Sequence, residues 1–405
     1  MKYLDFVDLK YEPKKDLICD FYLEADNIKR AAGAVAAESS IGTWTELSTM
    51  KANIEQLAAK VFSIKKSGKG AEIKIAYPAE LFEPGSMPNI LSSVAGNVFG
   101  MKELKTLRLL DIEFPEKLLK SFKGPKYGIK GIRKIFNLKR PLIGTIVKPK
   151  LGLSAGEHAK VAYEAWKGGC DIVKDDENLG NQKFNPFRER FLKTIKMRDR
   201  AESETGEKKI YMVNVTAEVS EMLKRAEFVE ENGGEYIMVD VISVGWSGLQ
   251  TLRQQGFNLV LHAHRAGHAA FTKSKRHGIS MKVIAKIVRI VGCDQLHVGT
   301  AVGKMYEAKK EVLENIAVLK ENNGLKPVFP VASGGLHPGS IPDILKIFGS
   351  DVIIQAGGGI HGNPLGTQAG AKAMRQALQA TLEGISLKQY AEKHKELKAA
   401  LNKWK

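Results

Sequence analysis

Ile143-Gly144-Thr145-Ile146-Val147, then Ala155–Lys167, then Asp171-Ile172-Val173-Lys174: this stretch decides the fold. It reads as a short apolar strand, an amphipathic helix and a second apolar strand. Two strands joined through a helix of that length run parallel, since antiparallel neighbours need only a tight turn. The rhythm continues to the end of the chain, with strand candidates at Ile143–Val147, Asp171–Lys174, Ile210–Val215, Tyr236–Val241, Leu259–His262, Gln295–Val298, Val328–Val331 and Val352–Gln355. Helical stretches such as Ala217–Glu231, Lys309–Glu321 and Ile341–Phe348 lie between them. Eight such units fit a (β/α)8 TIM barrel better than an open sheet. No residue-level repeat accompanies the architectural one.

Upstream the pattern changes. Ile28–Ala37 and Ile54–Val61 have helical spacing, and Glu72–Tyr77 alternates like a strand. The expectation is an α/β protein of two domains: an N-terminal α+β domain over 1–120, built as an open sheet with helices, and a barrel with C-terminal helices over 138–405. Residues 121–137, rich in Lys, Gly and Pro, read as a connector. A chain of 405 residues with 43% hydrophobic and 26% charged residues suits such a pair. Its three cysteines, Cys19, Cys170 and Cys293, have no zinc or CxxC spacing, and Cys170 and Cys293, each just before a predicted strand, read as small core residues. No apolar run is long enough to span a bilayer, and charges interrupt the N-terminus where a signal peptide needs an apolar core. The protein is therefore expected to be cytoplasmic, with no membrane partner. Its net charge of +17 suits either nucleic acid or a polyanionic substrate. The lysines are scattered and lack the interleaved aromatics of a single-strand binder, so no nucleic-acid partner is expected.

In a (β/α)8 barrel, chemistry belongs at the C-terminal ends of the strands. Polar and glycine residues gather at those ends here. Lys174 and Asp176 share one face of their strand, and Glu177 follows them at its end. Two carboxylates beside a lysine suit magnesium, which prefers oxygen ligands, and they equally suit an ion-paired strand end without metal. Lys148 and Lys150 read as proton-exchanging amines or as surface lysines. His262, His264, Arg265 and His268 combine acid–base or metal-binding rings with a guanidinium suited to phosphate. His262 also fits a core histidine, and the His-x-His pair also fits a zinc hydrolase. His297-Val298-Gly299-Thr300-Ala301-Val302-Gly303-Lys304 reads as a lid that carries an ammonium, or as a plain turn. Ser333-Gly334-Gly335 and Gly357-Gly358-Gly359 follow the last two strands, where backbone N–H groups of such barrels hold phosphate.

Together these segments resemble the large subunit of ribulose bisphosphate carboxylase (Rubisco). The resemblance runs through Gly144–Leu153, Gly168–Asn178, His264–His268, His297–Lys304, Val331–Gly335 and Gln355–Gly359 in order. It also takes in Ala36–Thr45 and Gly96–Gly100 upstream. It implies carboxylation and oxygenation of ribulose bisphosphate through an enediolate, carboxylation giving two phosphoglycerates. It implies that Lys174 takes up an activating CO2 as a carbamate and, with Asp176 and Glu177, holds Mg2+. Lys148 would transfer protons. Lys150, Asn97 and His264 would position substrate oxygens and support proton transfers. Lys304 would neutralise the new carboxylate, held by Glu38. Arg265, His297 and Ser333 would bind one phosphate, and Thr43, Trp44, Gly335, Gly357 and Gly358 the other. In the family Glu38, Thr43, Trp44 and Asn97 complete the barrel site of a second subunit, which implies an obligate homodimer with shared sites and room for higher homo-oligomers. The short chain most resembles the archaeal form III branch, which works without a small subunit and consumes ribulose bisphosphate from nucleotide breakdown.

Three positions depart from the family pattern. Met305-Tyr306-Glu307-Ala308 lacks the glycine usual near Glu307, at the lid hinge. Ile146 replaces a common threonine, and Gly267 replaces a bulkier residue. Rival readings are a Rubisco-like sugar-phosphate enolase without carboxylation, a zinc barrel hydrolase using His262 and His264, and a basic binding protein.

Overall fold

A computed structural model of the chain describes residues 1–43, 45–302 and 308–404. Contacts divide it into two units, one of Met1–Lys123 with Gly267–Val291, the other of Gly124–Ala266 with Gly292–Lys405.

The first unit holds a five-stranded sheet: β1 (Leu17–Glu24), β2 (Lys60–Ser67), β3 (Gly70–Tyr77), β4 (Thr106–Glu113) and β10 (Gly278–Ile279), ordered β10-β4-β1-β3-β2. β1 lies antiparallel to β3 and β4, and its Leu17, Cys19, Phe21 and Leu23 are buried in strict alternation. The helix Ile28–Glu38 starts where Asn27 accepts the Arg30 N–H at 3.0 Å, and it buries an alanine-rich face. The spacing predicts a helix over 54–61, but the helix here is Ala52–Glu55 and the chain is already in β2 by Lys60. Pairing decides the matter, because Val61 and Ile64 sit opposite Ile75 and Ile73 of β3. Gly267–Val291, counted with the barrel by its position in the chain, has its contacts in this unit. There β10 pairs in parallel with β4, and Lys286 binds Asp111 at 2.6 Å.

The second unit is a closed barrel of eight parallel strands. They are β5 (Leu142–Ile146), β6 (Ile172–Lys174), β7 (Ile210–Asn214), β8 (Tyr236–Asp240), β9 (Val260–His264), β11 (Gln295–His297), β12 (Phe329–Ser333) and β13 (Ile353–Gln355). Each overlaps a strand expected from the sequence, and β11 closes the ring against β9. The helices Ala155–Lys167, Val219–Glu231, Lys309–Lys320 and Ile341–Phe348 agree with expectation to within two residues at each end. Three C-terminal helices, Thr367–Leu382, Leu387–Ala391 and Lys395–Lys403, complete the unit. Among the described residues no helix is long and apolar enough to cross a membrane. All three cysteines are buried and free.

The segment read as a connector contains a helix, Gly128–Phe136. Its Ile129, Ile132 and Phe136 pack against Leu142, Ile172, Ile210, Tyr236, Val260, Phe329 and Ile353, residues at the N-terminal ends of seven barrel strands. The helix thus plugs the floor of the barrel. Its cap comes from far away in sequence: Asp294 Oδ1 accepts the N–H groups of Tyr127 at 2.6 Å and Gly128 at 3.0 Å. Ile132→Ala is expected to cost about 3 kcal/mol by opening a cavity there. Exposed Lys130→Ala on the same helix should cost under about 0.5 kcal/mol. Urea unfolding of both variants checks this, and equal costs would mean that the floor is not packed as described.

Candidate active site

The C-terminal ends of the barrel strands bring most of the singled-out residues together. At the end of β6 the chain alternates. Lys174, only 1% exposed, stays among barrel side chains, where its Nζ lies 2.8 Å from the Asp175 carbonyl and 3.1 Å from Met238 Sδ. Asp175 turns the other way. Its carboxylate accepts from Tyr211 Oη at 2.7 Å, the Asn214 N–H at 3.0 Å and Arg190 at 3.2 Å, and lies 3.2 Å from His158 Nε2. Asp176 then shares the orientation of Lys174. Its Oδ2 is 2.6 Å from Lys148 Nζ, and its Oδ1 accepts from the backbone and side chain of Asn178 at 3.2 and 3.1 Å.

These environments set the charges. Burial pushes the Lys174 amine below the ordinary lysine range, outweighing the pull of Glu177, Asp176, Asp240 and Asp175 in the other direction. Burial also pushes Asp175 up, but Arg190, His158 and Tyr211 together hold its carboxyl well below the usual range. Asp176 likewise ends below its ordinary value, because Lys148 and Asn178 outweigh burial. One side of the barrel mouth therefore carries a buried amine with its pKa lowered beside a carboxylate held below its usual range.

His264, at the end of β9, bonds through Nδ1 to Asp240 Oδ1 at 2.7 Å, and its Nε2 lies 3.9 Å from Glu177 Oε2. A carboxylate only accepts, so Nδ1 carries the hydrogen and Nε2 is left to face Glu177. The alternative zinc pair is otherwise engaged, since His262 bonds to Gln295 and to His297. His297 in turn meets Ser333 Oγ at 2.6 Å. Arg265 is buried in the turn after β9. His268 belongs to the first unit, where it bonds to Thr272 at 3.0 Å. Lys150 is exposed on the turn after β5.

After β12, Gly334 and Gly335 have φ of 114° and 73°, left-handed values that favour glycine. After β13, a Cβ on Gly357 would meet Lys148 Cε at 3.1 Å, so this turn lies against the Lys148 side chain. A Cβ on Gly359 would fall 2.0 Å from the Leu336 carbonyl oxygen, which excludes any side chain.

In the first unit, Glu38 ends its helix and accepts from Asn97 Nδ2 at 3.3 Å. Thr43 lies in the loop beyond that helix. Trp44 and Lys304, with the hinge residues through Glu307, lie outside the described residues.

Among the described residues no group of three His, Cys, Asp or Glu is arranged to hold a metal. The donor set at β6 has two carboxylates and an amine. An amine is a poor magnesium ligand, so Lys174, Asp176 and Glu177 fit a hard cation once the lysine bears oxygen, as a carbamate does. Sequence reasoning missed Asp175, Asp240 and His361, whose roles depend on partners remote in the chain.

His361 bonds through Nε2 to Thr145 Oγ1 at 3.0 Å and through Nδ1 to Thr367 Oγ1 at 3.1 Å, linking the last glycine turn to β5. Burial, with help from the Lys148 charge, pushes it down to about 4, against a hydrogen bond to Ile146.

Two family models match the chain: ribulose bisphosphate carboxylase large chain, N-terminal domain, over residues 5–118, and the catalytic domain of the same large chain over 128–404. The ribulose bisphosphate carboxylase of Methanocaldococcus jannaschii is 51% identical over 99% of this chain and 100% of its own length. That of Pyrococcus furiosus is 52% identical over 99% of this chain and 97% of its own. Among solved structures, an octameric ribulose-1,5-bisphosphate carboxylase/oxygenase from Pyrococcus horikoshii, crystallised with sulfate, superposes with a TM-score of 0.97 at 50% identity, covering 100% of this chain and 97% of that one. A dimeric archaeal Rubisco from Hyperthermus butylicus superposes with a TM-score of 0.93 at 46% identity, covering 99% of each.

His361 also yields a pH prediction. Its folded-state pKa lies below the unfolded value of 6.5, so between pH 6.5 and 4 the unfolded chain binds a proton that the folded chain refuses. Its contribution to stability is complete above pH 6.5, and about 3 kcal/mol of it is lost as the pH falls to 4. The stability difference between the native chain and His361→Gln, from urea unfolding across that range, should shrink with falling pH. A constant difference would refute the assignment.

Proposed function

The chain belongs to the ribulose bisphosphate carboxylase large-chain family, and on that premise we propose that it carboxylates, and oxygenates, ribulose bisphosphate through an enediolate. The observation that carries the reading is the fully buried Lys174, its amine driven toward the neutral form beside Asp176 and Glu177. Only a neutral amine attacks carbon dioxide. The nitrogen lone pair would form a new N–C bond as one C=O π pair moves onto oxygen, one N–H proton would pass to water, and a carbamate anion would remain. That anion supplies the oxygen donor missing from the set, and with Asp176 and Glu177 it would hold Mg2+. When bound, the ion supplies Lewis-acid polarisation of substrate oxygens.

The other residues take roles suited to their surroundings. A carbamate on Lys174 would supply the base for the proton that starts enolisation. Lys148, paired with Asp176 at 2.6 Å, is held where it can return a proton to the final carbanion. His264, oriented by Asp240, presents Nε2 for proton transfer at substrate oxygens, together with Lys150 and Asn97. Arg265, His297 and Ser333 form one anion subsite. Gly335, Gly357 and Gly358 form the other, with Thr43 and Trp44. Lys304 would neutralise the new carboxylate, with Glu38 of a partner subunit to hold it. Two phosphoglycerates leave.

Glu38, Thr43, Trp44 and Asn97 complete the site of a partner subunit in this reading. The assembly is a homodimer or a multiple of one, without a small subunit. Relatives described as dimeric and octameric support a homo-oligomer. In this reading the enzyme is cytoplasmic and consumes ribulose bisphosphate from nucleotide breakdown, as the resemblance to the archaeal form III branch implies.

Labelled carbon dioxide should enter phosphoglycerate from ribulose bisphosphate after preincubation with bicarbonate and magnesium. Lys174→Ala should lower fixation at least about a thousandfold. Substantial fixation by that variant would sink the assignment. Enolisation without fixation in the native protein would instead favour a Rubisco-like enolase.

A further inference from the structure

The helices Ala155–Lys167 and Phe187–Thr205 pack side by side in the outer shell of the barrel, and a cavity of about 500 Å³ opens between them. Its walls follow helical spacing. Ala159, Lys160 and Tyr163 line one side, and Lys196, Met197 and Arg200 line the other. None of these residues has a part in the reaction described above.

One part of the lining is apolar. Ala159 is buried, and Tyr163 and Met197 are half-buried. The Tyr163 ring is held in place. Its Oη donates to Glu204 at 2.5 Å, and the Arg200 guanidinium, itself bonded to Glu204 at 2.8 Å, lies 4.8 Å from the ring centroid. The ring is thus a fixed flat plate. A Cβ on Gly156, also in the lining, would meet nothing within 4 Å, so the wall stays open there.

The rest is cationic. Lys160, Lys193, Lys196 and Arg200 outnumber the single lining carboxylate, Glu164. Lys193 and Arg200 are already matched, by Glu189 at 2.6 Å and Glu204 at 2.8 Å. Lys160 and Lys196 are exposed and make no ion pair among the described residues. Two ammonium groups without counter-ions therefore flank one cavity, which favours an anion there.

Size and chemistry narrow the occupant. The volume is that of a small-molecule site. An ammonium holds phosphate as a point charge, and two of them match a dianion. The plate of Tyr163 with Ala159 and Met197 suits a flat apolar body. The two walls also hold Asp175. His158 of one helix lies 3.2 Å from its carboxylate, and Arg190 of the other donates to it at 3.2 Å.

We propose that this cavity binds a small phosphate monoester with a flat aromatic body, and that the bound ester, bridging the two helices, steadies both holders of Asp175. The site itself is independent of the bisphosphate reading. The link to Asp175 rests on that reading, because Asp175 sets the facing of Lys174.

Titration calorimetry of the intact protein with naphthyl phosphate, at low salt and without magnesium, tests the site. Binding is expected to weaken at least about tenfold in the double variant Lys160→Met, Lys196→Met, which removes two charge-assisted contacts from exposed positions. Naphthol, which lacks the phosphate, and inorganic phosphate, which lacks the ring, should each bind at least about tenfold more weakly than the ester. Equal affinity for either overturns the ligand class. No binding to the native protein overturns the site, and so does equal affinity of the double variant, which would place the ester elsewhere. Fixation tests the link. With the ester saturating, the bicarbonate concentration that half-activates the native protein should fall at least about twofold, with no change in the double variant. An unchanged midpoint in the native protein overturns the link. A native protein that binds the ester but fixes no carbon dioxide overturns the bisphosphate reading, and the link with it, and leaves the site standing.

Discussion

The carboxylate of Asp175 fixes which way the end of β6 faces at the barrel mouth. Its neighbours Lys174 and Asp176 can face the barrel interior only because Asp175 faces away. It is held there by Arg190, Tyr211, His158 and the Asn214 N–H. A buried carboxylate with too few donors would be costly, and here the surrounding groups compensate its lost solvation. These partners come from the helices Ala155–Lys167 and Phe187–Thr205 and from β7, so the outer shell of the barrel fixes the orientation of its inner surface. The constraint is a register: one residue of slip would exchange the two faces.

From that register follows a separation of charge states within a few residues. Lys174 is buried and tends toward the neutral amine, while Lys148 sits against ionised Asp176 and is about a third exposed. Two amines of one kind thus acquire different surroundings, one buried with its pKa lowered and one ion-paired and partly exposed. His264 receives its orientation in the same manner, from Asp240 at the end of the adjacent strand.

The barrel strands were legible because parallel strands buried on both faces read as unbroken apolar runs. The plug helix Gly128–Phe136 was not, because its cap is Asp294, more than 160 residues away, and its apolar face lies among lysines and glycines. The helix Phe187–Thr205 has no clean apolar stripe, since Arg190 and Arg198 lie on its buried side. Ile54–Val61 misled because Val61 and Ile64 suit a strand once β3 lies beside them. At the site, Lys148, Lys174, Asp176, Glu177 and His264 were visible from their place at strand ends. Asp175, Asp240 and His361 were not, because each acts through a partner that only the folded chain supplies.

The plugged floor has a consequence of its own. Ile129, Ile132 and Phe136 seal the end of the barrel opposite Lys174, so the barrel is closed at its floor rather than open through its length. Whatever reaches Lys174, whether gas, cation, sugar or water, shares one entrance with whatever leaves. The order of arrival and departure is then a matter of traffic through a common doorway. On the reading proposed above, a bisphosphate that settled first would govern what enters behind it.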